Sequence, residues 1–231
     1  MKSIWIDLWE LFFPRHCVVC GCKLQRSEKY LCLHCLQTMP RTQYHLQPDN
    51  PMEKNLWGKL PLGRAAALFF YHRENPYVNL LYELKYYGNF RLGVYMGRYM
   101  AIQLKDSGFF QGVQLIVPVP LHPDKLRKRG YNQSVKLAEG ISQVTGIPVA
   151  THLLVRQKFN DTQTRKSRFE RWTNVSDIFA CLAPAELEGK HILLVDDVMT
   201  TGATIVSCAD ALAGIPGLRI SVLTLAMVAR H

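Results

Sequence analysis

The sequence predicts an α/β chain, a parallel sheet with flanking helices behind a small cysteine-rich N-terminal module. Three observations predict it. Short apolar runs alternate with helix-length periodic stretches from about residue 62 onward, the pattern of βαβ units. Five of the seven cysteines fall between residues 17 and 35. A buried-strand pattern at 191–195 runs into two acids and a Thr/Gly turn that opens a helix.

Taken in order, residues 1–40 form the first unit. Ile4 to Phe13 is apolar but interrupted by Asp7 and Glu10, and Leu8, Leu11 and Phe12 fall at helical spacing. That reads as a short amphipathic helix rather than a secretory leader, which needs an uninterrupted apolar core and a small-residue cleavage site. Residues 41–61 are polar and punctuated by Pro48, Pro51 and Pro61, a connecting stretch. Residues 62–231 form the main domain. Its expected order is a strand at 65–71, helices near 76–87 and 92–105, and a strand at 115–120. A helical stretch at 124–145 ending at Gly146 follows, then a strand at 149–155 and a polar loop at 157–176. A short strand at 178–181, the strand at 191–195, a helix at 203–213 and a strand at 220–228 complete it.

Hydrophobic residues make up 48% of the 231 and charged residues 20%, enough apolar material for a core and too little charge for a disordered tail. No run reaches the ~20 apolar residues of a spanning helix, so a soluble protein is expected. The net charge of +10 attracts phosphate groups, on nucleotides, nucleic acid or a membrane surface.

Cys17-x2-Cys20 and Cys32-x2-Cys35 are separated by eleven residues. Paired thiolates at this spacing are expected to close a tetrahedral Zn²⁺ site with all four positions filled by protein, hence structural. Cys22 reads as a neighbour of the metal or as simply buried, and His34 as pointing outward. Cys181 and Cys208 read as packing residues.

The segment His191-Ile192-Leu193-Leu194-Val195-Asp196-Asp197-Val198-Met199-Thr200-Thr201-Gly202-Ala203-Thr204 carries the most specific chemistry. A parallel strand delivers its acids to the carboxyl end, where open α/β sheets place ligands. The turn into the following helix offers backbone N–H groups and hydroxyls to a phosphate. Two adjacent carboxylates repel phosphate, so they must face ribose hydroxyls or a magnesium ion. The arrangement asks for a phosphorylated sugar. An ordinary strand–turn–helix with an Asp cap is the plainer alternative.

Leu193 to Thr204 resembles the signature of type I phosphoribosyltransferases. The wider chain resembles the ComF branch of that family at Phe13-Pro14, Leu84-Lys85-Tyr86-Tyr87-Gly88, Val117-Pro118-Val119-Pro120, Arg129-Gly130-Tyr131-Asn132-Gln133-Ser134 and Thr162-Gln163-Thr164, with Arg168, Asn174 and Phe179 following. The resemblance implies a type I phosphoribosyltransferase-like sheet that binds phosphoribosyl pyrophosphate (PRPP) with Mg²⁺. Asp196 and Asp197 would take the ribose diol and any catalytic role, while Thr200, Thr201, Gly202, Ala203 and Thr204 would take the 5′-phosphate. Leu121 and His122 would form the pyrophosphate loop. Lys158, Arg165 and Arg168, with Lys166 and Arg171, fall where related enzymes keep a mobile basic loop, or else lie on a solvated one. Lys128 and Arg129, in a segment that mixes basic and aromatic groups, would contact pyrophosphate or single-stranded DNA. The resemblance further implies handling of imported single-stranded DNA during natural transformation, in the cytoplasm or peripherally at the inner membrane beside competence-machinery proteins. Salvage or biosynthetic phosphoribosyl transfer is the alternative; residues 62–110, where such enzymes recognise their acceptor, identify no particular one.

Overall fold

The computed structural model describes residues 14–72, 74–157 and 178–229. Its centre is a four-stranded parallel sheet built from β1 (Leu62–Tyr71), β2 (Leu115–Pro118), β5 (His191–Met199) and β6 (Arg219–Val228), in the order β1-β6-β5-β2. Ile192 to Val195 of β5 and Ile220 to Met227 of β6 are buried without a break. Burial of successive residues means that both sheet faces are covered, which explains why these strands read as continuous apolar runs. Two further strands, β3 (Leu154–Arg156) and β4 (Phe179–Cys181), pair antiparallel in a separate ribbon.

The helices are α1 (Leu33–Gln37), α2 (Pro51–Leu56), α3 (Val78–Tyr86), α4 (Phe90–Leu104), α5 (Pro123–Arg129), α6 (Gln133–Thr145) and α7 (Ala203–Asp210). The stretch expected as one helix over 124–145 is two. Gly130 adopts φ +81° and closes α5 through its N–H to the Leu126 carbonyl, and Asn132 starts α6 by accepting from the Ser134 N–H. The strand expected at 149–155 is shorter. Val149 makes only an isolated bridge to Ile116, and β3 starts five residues later in the ribbon. Conversely, β5 does not stop at Val195 but stays paired with β6 as far as Met199. Both acids therefore sit inside the strand's last turn of pairing, not in a loose loop.

Residues 41–61, read from the sequence as a connecting stretch, lie against β1. Asn50 caps α2 and donates its side-chain amide to the carbonyls of Tyr44, Gln47 and Ala65. Buried Glu53 accepts from the Ala65 N–H at 3.1 Å and from Arg64 Nε at 3.0 Å.

Helices α4 and α6 cross at backbone contact. A Cβ on Gly97 would come within 2.1 Å of the Leu137 carbonyl oxygen, and one on Gly140 within 2.2 Å of that of Val94. Main-chain atoms cannot swing aside as a side chain can, so a methyl group must separate the helices. Gly140→Ala is expected to lower stability by about 2 kcal/mol, overpacking outweighing the ~1 kcal/mol that alanine gains in a helix. Denaturant unfolding of the variant beside wild type measures it, and a variant of equal or higher stability would contradict the crossing.

Candidate ligand and metal sites

The carboxyl end of the sheet opens into a cavity of about 300 Å³ lined by both acids and a ring of cations and amides, Lys85, Lys125, Arg129, Asn132, Gln133 and Arg156, with Ser134, Leu121, Thr200 and Thr204. Asp196 is fixed from two sides. The Ser134 hydroxyl donates to its Oδ1 at 3.0 Å and the Asp197 N–H to the same oxygen at 2.8 Å. Asp197 Oδ2 lies 3.3 Å from Lys85 Nζ. Burial, and then the neighbouring Asp197 carboxylate, push the Asp196 carboxyl up to about 7. Lys85 and the two hydrogen bonds oppose this rise. A carboxylate poised in this way keeps unused acceptor capacity for a hydroxyl pair or a hydrated cation.

Beyond the strand, Thr200 and Thr201 are exposed and Gly202 is buried at φ +87°, a left-handed conformation natural to glycine. A Cβ there would meet Met199 Cε at 3.0 Å. The Thr201 hydroxyl accepts from the Ala203 N–H, and Asn55 Nδ2 donates to the Thr201 carbonyl at 3.1 Å, tying the turn to α2. The result is a preformed turn at the positive end of α7, open to solvent, of the kind that receives a phosphate.

Other expected site residues divide. Leu121 lines the cavity; His122 instead caps α5, its Nδ1 accepting from the Asp124 N–H. Arg129 reaches the cavity, with its guanidinium 6.0 Å above the Tyr86 ring, whereas Lys128 faces solvent on α5. Lys158, Arg165 and Arg168, with Lys166 and Arg171, lie outside the described residues, as does the expected helix at 4–13.

Several contributors were not singled out from the sequence as ligand residues. Lys85 comes from the end of α3, Ser134 from the first turn of α6 and Arg156 from β3. Asn132 donates to the Val119 carbonyl and caps α6, and so seats Ser134 against Asp196. The Tyr131 hydroxyl donates to the Leu84 carbonyl at 2.6 Å and fixes the end of α3 that carries Lys85.

Beside the cavity, on α3, the start of α4, the α5–α6 turn and α6, runs a surface of aromatic rings and cations. Tyr82 and Tyr86 lie 6.0 Å apart, Phe90 and Tyr131 meet edge to face at 6.3 Å, and Arg91 and Lys136 approach Phe90 at 5.8 and 5.9 Å. A second pocket of about 530 Å³ shares Lys85, Tyr86, Val198 and Thr200 with the first and is walled by Tyr71, Leu81 and Tyr82.

In the N-terminal module, the sulfurs of Cys17, Cys20, Cys22 and Cys32 lie within 4.8 Å of one another. A tetrahedral site with 2.3 Å Zn–S bonds requires S···S separations of about 3.8 Å, and Cys20 and Cys32 Sγ are 3.8 Å apart. Backbone N–H groups already point at two of the sulfurs, Cys32 N–H at Cys17 Sγ and Cys35 N–H at Cys32 Sγ. The donor set fits a structural zinc ion. Cys35 is buried with its thiol against Cys20, Cys32 and Cys17. Of the two sequence readings of Cys22, the structure agrees with a neighbour of the cluster and not with a buried thiol: its sulfur adjoins the other three and it is exposed. His34 is exposed, as expected, and Cys208 is buried in the core.

The acid pair at the end of a parallel strand, with the Thr/Gly turn after it, belongs to a phosphoribosyltransferase-type domain. Residues 123–230 match the phosphoribosyl transferase domain model. Over 85% of its length the chain is 29% identical to DNA utilization protein YhgH of Escherichia coli, covering 83% of that protein. It is 27% identical to competence protein F of Haemophilus influenzae, over 84% of this chain and 89% of that one. Among solved structures, the glutamine PRPP amidotransferase of B. subtilis complexed with ADP and GMP is matched over 58% of this chain and 26% of that chain, with 20% identity and a TM-score of 0.41. Over most of its length the chain is thus similar to competence protein F and to DNA utilization protein YhgH, and it carries a phosphoribosyltransferase-like domain behind a four-cysteine cluster. No helix among the described residues is long and apolar enough to cross a membrane.

Proposed function

We propose that this protein binds PRPP with Mg²⁺ in the Asp196/Asp197 cavity and holds single-stranded DNA on the adjoining aromatic–cationic surface, serving DNA uptake during natural transformation in the cytoplasm. The observation that carries the PRPP reading is the combination of two carboxylates, an open phosphate turn and the cations Lys85, Lys125, Arg129 and Arg156 in one cavity. Asp196 and Asp197 would accept from the ribose diol, residues 200–204 would hold the 5′-phosphate, and the cations would neutralise pyrophosphate. Mg²⁺ would arrive with the pyrophosphate and shield its charge against the two acids. The names of the relatives, DNA utilization protein and competence protein F, support the DNA reading. So do rings that can stack on bases beside cations that can meet phosphates. We divide the chain accordingly into the zinc module at 1–40, a connecting stretch at 41–61 and the ligand domain at 62–231.

Phosphoribosyl transfer to an acceptor is the second reading, and the 530 Å³ pocket favours it. That pocket adjoins the ribose position through Lys85, Tyr86, Val198 and Thr200 and offers aromatic walls to a planar acceptor. The reaction would break the ribose C1–pyrophosphate bond and form a bond from C1 to the acceptor. Turnover of a nucleobase by the purified protein would establish this reading.

Titration calorimetry with PRPP and Mg²⁺ tests the first part: saturable one-to-one binding is expected, and no heat would refute it. Fluorescence anisotropy with an oligo-dT strand tests the second. With Arg91, Lys128 and Lys136 among the contacts, log K is expected to fall with log salt at a slope of about −2. Tyr86→Ala should weaken binding about 10-fold, through lost stacking worth about 1–3 kcal/mol. Salt-independent or absent binding would remove DNA from the function.

A further inference from the structure

Zinc takes four thiolates, yet five cysteines surround this position. The fifth is Cys22, and the backbone holds it in place. Gly21, at φ +73°, turns the chain back immediately after Cys20, and its N–H donates to the Cys17 carbonyl at 2.8 Å. The Cys17 N–H then donates to the Cys22 carbonyl at 2.8 Å, and His16 pairs with Lys23 in an antiparallel bridge. Cys22 and Cys17 are thus cross-strand partners on one tight hairpin. The Cys22 sulfur lies within 4.8 Å of those of Cys17, Cys20 and Cys32, so a side-chain rotation suffices to bring it to the metal.

Cys35 stands beside the same sulfurs. It sits in the first turn of α1 with its N–H on Cys32 Sγ, and the Tyr77 hydroxyl donates to its carbonyl at 2.6 Å. Its thiol packs against those of Cys20, Cys32 and Cys17. The two candidates for the fourth position differ in setting, since Cys35 is buried and Cys22 faces solvent.

We propose that Cys17, Cys20 and Cys32 form a fixed three-thiolate base, and that Cys22 and Cys35 exchange as the fourth zinc ligand. This rests on the zinc reading of the module. In the exchange the Zn–S bond to one cysteine breaks as the bond to the other forms, and the incoming thiol's proton passes to the departing thiolate. Charge and coordination number are unchanged. The arrangement gives a structural zinc an exposed ligand arm, so the metal can be approached from solvent without dismantling the buried half of its site.

The test uses the full-length protein with Cys22→Ser, Cys35→Ser and the double variant. Zinc content by mass spectrometry and sulfur coordination by zinc-edge X-ray absorption are measured on each. The expected result is one zinc in wild type and in each single variant, with four sulfur neighbours every time, and loss of stable zinc in the double variant. A Cys35→Ser protein without zinc, or with three sulfurs and one oxygen, would show that Cys22 cannot serve and overturn the exchange. A Cys22→Ser protein with either defect would make Cys22 the sole fourth ligand and overturn it equally. Because serine in a buried position can itself unfold the module, Cys35→Ala is the companion variant. Failure of both Cys35 variants to fold in the presence of zinc counts against the proposal. Wild-type protein with no zinc at all would instead remove the zinc reading on which the exchange stands.

Discussion

Replacing Asp196 and Asp197 together by alanine is expected to weaken PRPP binding by at least ~100-fold while leaving the domain folded. Each carboxylate that accepts a ribose hydroxyl contributes about 1.5–3 kcal/mol, so losing both costs about 3–6 kcal/mol, or two to four decades. The fold should tolerate the change because these acids are a liability to the protein without ligand. They sit side by side on β5, and burial with mutual repulsion raises the Asp196 carboxyl to about 7. Its ordinary value is near 4. Between those two pH values the folded protein holds a proton that the unfolded chain has lost, so the contribution of Asp196 to stability falls as pH rises through that window. Asp196→Asn should therefore raise the melting temperature at pH 8 and have little effect at pH 4, near the unfolded carboxyl's own value. Affinity for PRPP should move the other way in wild type. An ionised Asp196 would be the better acceptor for the proposed diol, so binding is expected to strengthen from pH 6 to pH 8. Titration calorimetry from pH 6 to pH 8 on wild type and the double alanine variant checks the affinities, and thermal melts of Asp196→Asn at pH 4 and pH 8 check the stability. Unchanged affinity in the double alanine variant would remove the acids from the ligand site.

The second large effect concerns the module. Cys17→Ser with Cys32→Ser is expected to reduce bound zinc from one per chain to none and to lower the melting temperature by roughly 10 °C. A module this small has few core residues of its own, so a bound zinc would supply most of its folding energy. When it opens, the main domain loses the Tyr77 hydroxyl bond to the Cys35 carbonyl, the Asn79 amide bond to the Val19 carbonyl at 3.3 Å and the packing of Tyr30 on Tyr95 at 5.2 Å. Three such contacts amount to about 3 kcal/mol, and each kilocalorie moves the midpoint of a chain this size by about 2–4 °C. Zinc analysis and a thermal melt decide it, and zinc-free protein with an unshifted melt would show that the module is not metal-built.

Much of this was legible in the sequence because it is local. The strand, acids and turn from His191 to Thr204 are one uninterrupted segment whose chemistry follows from backbone geometry, and the paired cysteines declare themselves by spacing. What stayed hidden is what only the sheet order brings together. Ser134 reaches Asp196 across 62 residues of chain, because α6 packs over β5. Lys85 looks like one more cation on an amphipathic helix until α3 is placed beside the strand end. Cys22 stayed ambiguous for a different reason: the left-handed turn at Gly21 places it beside the cluster, which composition and spacing do not encode. The break between α5 and α6 was equally local in cause, since Gly130 sits inside a stretch whose apolar periodicity continues across it.

Helix α3 has a consequence of its own. It starts beside the cysteine module, where Tyr77 and Asn79 bond to that module's carbonyls, and it ends at Lys85 against Asp197. Nine residues long, it spans about 13 Å at the rise of an α-helix. A rigid rod of that length works as a lever. A tilt of about 5° at the module displaces its far end by about 1 Å, enough to make or break the Lys85–Asp197 contact. A shift of the module end of α3 would therefore alter the charge balance beside Asp197, although no described residue of the module lines that cavity.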